Sequence, residues 1–235
     1  ERSVRARKGV VLATGHFTNN PEMLKQYAPH LLDPRYERQY TPNDDGAGIQ
    51  LGLAAGGQAL HMDGALITYP FYPPEHLIKG VLVNKLGKRF VAEDVYHSRS
   101  SIEITLQPDA IAYLIVDDEC FGRPEFGGWD VVDAWEDVAH MERDLGMPAG
   151  ALQQTLRDYN AHAAKGEDPE FHKYAKWLKP LTKAPFAALR GSLGSGAYRT
   201  FTLGGLRVSR DSEVMRSDGS PIPGLYAAGA CASNI

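Results

Sequence analysis

Two short segments near opposite ends of the chain constrain it most: Val10-Val11-Leu12-Ala13-Thr14-Gly15 and Gly224-Leu225-Tyr226-Ala227-Ala228-Gly229. Each is an apolar strand that runs into small residues and stops at a glycine. A strand end without bulky side chains lets backbone come close to a flat ring or a phosphate. One such segment alone is equally what a tight turn looks like. Two in one chain suggest two edges of a single ligand cleft, with the residues between them inserted into the domain that carries it. A third segment, Thr202-Leu203-Gly204-Gly205, sets a hydroxyl residue before a glycine pair, and such backbone aims N–H groups at a ring or an anion.

Local patterns fill in the rest. Residues 4–12 read as one arm of a strand hairpin. Asn20 caps a short helix over 22–27, with Pro21 in its first turn. A polar turn over 41–48 launches an Ala/Leu-rich helix over 49–55, which Gly56-Gly57 stops. Strands are expected over 81–84 and 89–91, joined as a hairpin, and again over 111–116. Helices are expected over 133–145 and 149–165; in the second, Leu152, Leu156, Tyr159 and Ala163 share a face and read as core. A Gly/Ser-rich crossover over 192–198 leads to a strand over 206–209, a turn-rich hairpin over 211–218 and a last strand over 225–228.

Composition excludes several classes. A net charge of -4, with Arg5-Ala6-Arg7-Lys8 as the one basic cluster, favours no nucleic-acid partner. No apolar run approaches the roughly 20 residues of a membrane helix, so no membrane span is expected. Cys120 and Cys231 show no CxxC pattern, which suits a reduced, cytoplasmic protein rather than a disulfide framework. The eight histidines lack HxxH and HExxH spacing, so no metal site is expected. The chain starts just before a strand without a methionine and stops just after a turn, so it reads as a fragment.

The order of these pieces resembles the flavoprotein family of fumarate reductases, succinate dehydrogenases and 3-ketosteroid dehydrogenases. The resemblance rests on residues 10–15, Asn43-Asp44-Asp45-Gly46-Ala47-Gly48-Ile49, Leu82-Val83-Asn84-Lys85-Leu86-Gly87-Lys88-Arg89-Phe90-Val91-Ala92-Glu93, Ala184-Pro185-Phe186, residues 202–205 and residues 223–229, collinear over almost the whole chain. It implies a mixed α/β and α+β fold. Part of a Rossmann-like FAD-binding domain would cover 1–60, an α+β capping (substrate) domain 61–195, and the truncated return of the FAD-binding domain 196–235. The Gly-x-Gly-x-x-Gly turn for the ADP moiety is expected upstream of Glu1.

What the resemblance implies for the site follows residue by residue. FAD, bound non-covalently, would lie against Ala13, Thr14, Gly15, Asp45, Gly204, Gly205, Ala228, Gly229 and Ala230. Fumarate reductases carry an arginine proton donor about four residues after the position of Glu93; here that position is His97, with Arg99 beyond it. They also place a histidine just before Thr-x-Gly-Gly, where this chain has Phe201. A dicarboxylate needs cations at both ends, so Phe201 argues for a small apolar substrate. Glu93-Asp94-Val95-Tyr96-His97 and the ending Gly229-Ala230-Cys231-Ala232-Ser233-Asn234-Ile235 are closest to the 3-ketosteroid Δ4-(5α)-dehydrogenases. Tyr96 is then the expected base, His97 a relay and Arg99 a substrate cation. Against these stand plainer roles: a tyrosine bonded to backbone, a structural histidine, and a salt bridge from Arg99 to Glu93 or Asp94. Arg89 and Glu93 read as a structural hairpin pair, and Tyr69, Phe71 and Phe201 are candidate steroid contacts. The expected activity is removal of a hydride to flavin N5 and of a proton to Tyr96, forming a C=C bond conjugated to a ketone, with an external electron acceptor. The alternatives are a fumarate/succinate-type reductase of another activated alkene, and an inactive fragment or interaction module that holds no FAD.

Overall fold

The computed structural model describes residues 5–69, 75–124 and 129–233. They form two compact units: Glu1–Leu66 with Arg199–Ile235, and the intervening Ile67–Tyr198. Chain order in the first unit is β1 (Val10–Leu12), α1 (Pro21–Tyr27), β2 (Tyr36–Arg38), α2 (Ala47–Ala54), β3 (Ala59–Leu60) and β4 (Ala65–Thr68). The second unit contains β5 (Val81–Asn84), α3 (His97–Thr105), β6 (Ala112–Asp117), β7 (Asp130–Trp135), α4 (Val138–Asp144), α5 (Ala151–Ala163) and β8 (Phe186–Arg190). The chain returns along β9 (Tyr198–Thr202) and ends with β10 (Gly205–Leu206), β11 (Glu213–Met215) and β12 (Pro221–Ala227). The fold is mixed, as expected.

In the first unit β1 is no hairpin arm. It pairs in parallel with β12, Val10 opposite Leu225 and Leu12 opposite Ala227, and β11 completes the sheet from the other side of β12. Parallel neighbours need a long crossover, and the whole length of chain between β1 and β12 supplies it. Two smaller sheets, β10-β3 and β2-β9-β4, accompany it. α1 forms as its caps dictate: the Met23 N–H donates to Asn20 Oδ1 at 3.0 Å, and Pro21 opens the first turn. Phe17, Leu24, Leu31, Ile49, Leu206, Val214 and Ala227 are wholly buried and make the core. The strand expected over 206–209 shortens to β10, with Val208 making a single bridge to Val214.

The second unit is built on an antiparallel sheet, β5-β6-β8-β7. β5 and most of β6 are buried on both faces, which is why both read as continuous apolar runs. The stripe Leu152, Leu156, Tyr159 and Ala163 is the buried face of α5, as expected. Three expectations are corrected. Residues 89–91 do not return as a strand. Asn84 Oδ1 accepts the Leu86 and Lys88 N–H groups and closes the turn, Arg89 bridges Val83 once, and its guanidinium then turns inward to Glu93 and Asp168. The helix expected from 133 begins at Val138. Before it, Asp130–Trp135 is the edge strand β7, because Val131, Val132 and Trp135 suit a strand and β8 is there to pair with. Finally, α3 was not expected: its buried face carries Ser98, Ser101 and Ile104, so no apolar stripe announces it. Ser98 donates to Ile67 O at 2.8 Å and Ser101 Oγ accepts the Tyr69 N–H at 2.8 Å, so hydroxyls do the anchoring.

Candidate active site

The parallel register of β1 and β12 brings both glycine-ended tails out at one edge of the sheet. The ladder runs one bond further, from the Ala228 N–H to Leu12 O at 3.0 Å. Beyond it Ala13 and Thr14 on one side, and Ala228, Gly229 and Ala230 on the other, are exposed. Gly15 and Gly229 adopt left-handed backbone, φ 82° and 62°, which glycine alone enters without strain. A Cβ on Gly15 would collide with Asp44 Oδ1, whereas one on Gly229 would meet nothing within 4 Å. Gly229–Cys231 is a single 3-10 turn, whose first N–H groups have no acceptor within the turn.

Other segments press against these tails. The Gly48 N–H, at the start of α2, donates to Thr14 Oγ1 at 3.0 Å, and a Cβ on Gly48 would lie 2.9 Å from Cys231 Sγ. Gly204 and Gly205 are buried: Gly204 lies against Met62, and a Cβ on Gly205 would lie 2.8 Å from Cys231 O. Leu206 bridges Ala232, and the Ser233 N–H donates to Leu206 O at 2.8 Å. Asp45 is exposed, with Oδ1 accepting the Ala47 N–H at 2.9 Å. Its loop is sewn to the turn after Gly15: Asn19 N–H to Asp44 O at 2.8 Å, Gly46 N–H to His16 O at 3.1 Å, and Asn20 Nδ2 to Asp45 O at 2.7 Å. All nine residues expected at the cofactor therefore lie in one unit. The arrangement offers exposed backbone, small side chains and open space over Gly229, which fits a ligand with a planar ring and phosphates such as FAD.

Phe201, half-buried at the end of β9, stacks on His16 with ring centres 5.6 Å apart and planes 15° from parallel. His16 is a residue that motif reading missed; its adjacency to Gly15 was the one available signal. Burial lowers its pKa, with Asp44 opposing.

In the second unit Tyr96 is 65% exposed at the start of α3, its ring 4.2 Å from that of His97. His97 Nδ1 lies 2.6 Å from Thr68 Oγ1, and burial lowers its pKa. A cleft of about 260 Å³ is lined by Ile78, Tyr96, His97, Ser100 and the 93–95 segment. Arg99 pairs with Glu103 at 2.6 Å, one helical turn on, and not with Glu93 or Asp94. Those two carboxylates are engaged elsewhere, Glu93 by Arg89 and Lys173, and Asp94 by the Tyr174 N–H. Tyr69 is 2% exposed, its ring stacked on Trp129 at 5.5 Å and tilted against Tyr198, a packed position. Phe71 lies outside the described residues. Among the described residues no helix is long and apolar enough to cross a membrane, and no cluster of three His, Cys, Asp or Glu residues could hold a metal.

Comparison with known proteins agrees with this geometry. The family described as "FAD binding domain" matches residues 1–235. The chain is 33% identical over 261 residues to the NADH:acrylate oxidoreductase of Vibrio harveyi, covering 100% of this chain and 25% of that protein. It is 27% identical to the probable fumarate reductase Ifc3 of Shewanella frigidimarina, covering 97% of this chain and 40% of the relative. Among solved structures, the 3-ketosteroid-Δ4-(5α)-dehydrogenase of Rhodococcus jostii RHA1, in complex with 4-androstene-3,17-dione, is similar at 40% identity and a TM-score of 0.85, over 97% of this chain and 47% of that one. The chain thus spans less than half the length of each.

Proposed function

The chain belongs to the FAD binding domain family, and from that premise we propose that the full protein is an FAD-dependent oxidoreductase that forms or reduces a C=C bond beside a carbonyl, with a 5α-3-ketosteroid as the substrate in which it introduces the Δ4 double bond. The observation that carries the cofactor half is the parallel β1–β12 register, which presents both glycine-ended tails at one sheet edge. FAD, held along residues 13–15, Asp45, the 204–205 pair and residues 228–230, supplies a hydride acceptor or donor when bound. The 40% identity to a ketosteroid dehydrogenase supports the substrate. So does Phe201, which with His16 offers ring surface where a dicarboxylate would require a cation.

The remaining chemistry falls to the chain's own side chains. Removing a proton beside a carbonyl requires a base, and Tyr96 Oη is our candidate because its phenol stands exposed at a cleft. His97, pinned through Thr68, is a candidate to pass that proton on. Arg99 is paired with Glu103 rather than left free for a substrate carboxylate, which suits a neutral ketone.

A second reading has its own support: the likeness to the acrylate and fumarate reductases favours reduction of an activated alkene acid. Turnover by the full-length protein separates the two. Oxidation of a 5α-3-ketosteroid with no reduction of fumarate or acrylate is expected; acid reduction without steroid turnover would reverse the order. Tyr96→Phe is expected to lower kcat about 100-fold or more while KM moves less than about threefold. An unchanged kcat removes Tyr96 from the reaction.

A further inference from the structure

We propose that His16 is a positioning residue of the FAD cradle, one imidazole that ties together the three backbone segments expected to receive the cofactor. It directly follows Gly15, so it continues the tail of β1. Its ring stacks on Phe201, the residue that leads into Thr202 and the buried pair Gly204 and Gly205. Its Nε2 stands 3.8 Å from Asp44 Oδ2, and its carbonyl accepts the Gly46 N–H at 3.1 Å, which reaches the loop that carries Asp45. The neighbours lock this arrangement. The Thr202 N–H donates to Thr18 Oγ1 at 2.9 Å, the two threonine hydroxyls are 3.2 Å apart, and Asp44 Oδ2 accepts the Thr41 N–H at 2.6 Å. A displaced imidazole would therefore move β1's tail, β9's end and the 41–46 loop together.

The protonation state follows from the contacts. The Thr18 N–H donates to His16 Nδ1 at 3.4 Å, so the ring proton sits on Nε2, facing Asp44. Phe201 on β9 and Thr18 on the 16–20 turn carry no charge. Among the described residues the 41–46 loop contributes the one charged neighbour, Asp44. Burial favours the neutral ring and Asp44 opposes it, with a net lowering from 6.5. A second proton would turn Nδ1 from acceptor to donor against the Thr18 N–H, losing that bond and shifting the ring off Phe201. The tightly held cradle is thus the neutral one. It loosens as pH falls below 6.5 through the folded-state value.

The test is FAD titration of full-length apoprotein, followed by quenching of flavin fluorescence, from about pH 7.5 down to about pH 5.5, the window in which imidazoles titrate. Because the imidazole titrates below 6.5, wild type is expected to bind FAD progressively more weakly toward the lower pH, by less than about tenfold. H16Q, whose amide can accept from Thr18 and donate toward Asp44 without titrating, should bind within about threefold of wild type at the upper pH and show a flat profile. H16A should bind about tenfold or more weakly at every pH. Thermal melts of all three accompany the titration: a merely structural role would lower Tm without making the H16Q profile flat. Wild type and H16Q with the same pH dependence, or H16A binding as wild type does, would overturn the proposal. Full-length wild type that holds no FAD at any pH would instead overturn the cofactor assignment itself.

Discussion

Glu93 accepts three hydrogen bonds, Oε1 from the Leu82 N–H and Arg89 Nε and Oε2 from Arg89, and Oε2 also pairs with Lys173 Nζ at 3.1 Å. Arg89 also forks onto Asp168, both bonds 2.9 Å. These four side chains, none more than 3% exposed, form a balanced quartet inside the second unit. Desolvating such charges consumes most of their attraction, so the quartet adds little net stability, but removing one member strands the others. Arg89→Met is expected to destabilise by about 3–5 kcal/mol, read as a lower denaturant midpoint at unchanged slope. The pH dependence has a definite sign. Burial pushes the Asp168 carboxyl up, but the Arg89 bonds outweigh it and hold it at about 2, below the usual 3.8. Its contribution is therefore complete above 3.8 and drains away as pH falls toward 2. In the Met variant that acid-side loss should shrink. The Arg89–Glu93 pair was expected as part of a hairpin, and it forms although that hairpin does not; Asp168 and Lys173, far along the chain, were not legible.

At the scale of elements, α5 shows the same division. Its apolar stripe was visible as a period and its start was expected within two residues, at 149, but its cap was not legible, because Gly150 occupies the cap position with no side chain to bond the first N–H groups. Glu142 of α4 does this from outside, accepting the Gly150, Leu152 and Gln153 N–H groups at 2.5, 2.7 and 3.2 Å. Burial pushes the Glu142 carboxyl up, and these N–H groups overcome it and hold it below 4.5. Glu142→Ala should cost about 1–3 kcal/mol, the penalty for buried donors left unpaired. It should be visible as a lower Tm with helix content otherwise kept. An unchanged Tm would mean that water caps the helix as well. β7 erred for the complementary reason: nothing within 130–145 states that β8 waits beside it, and pairing overrode local helical preference.

For the whole molecule, the notable feature is how the second unit joins the chain. The chain departs along β4 and returns along β9, and Thr200 Oγ1 donates to Leu66 O at 2.6 Å, so exit and entry are neighbours. An insertion whose ends meet closes its own loop at small entropic cost. The segment Ile67–Tyr198 has its own four-stranded sheet and helices that each bury one face. Expressed alone, it is expected to fold with a single cooperative thermal transition and native-like near-UV dichroism. A broad, uncooperative melt would show that it depends on the rest of the chain.

Periodicity, caps and glycine placement are local, and the sequence by itself therefore determined α1, the buried strands β5 and β6, the stripe of α5 and the two glycine-ended tails, while its collinear motifs carried the resemblance to the flavoprotein family. Whatever needed a partner distant in the chain was decided by tertiary structure. β12 made β1 a parallel strand, β8 made β7 a strand, and Asp168 pulled Arg89 out of a hairpin. Phe201 and Asp44 gave His16 a place in the cradle. The physical reason is one: a side chain's own backbone sets its preference, but burial and pairing carry more free energy, and only the fold determines which residues are near enough to provide them.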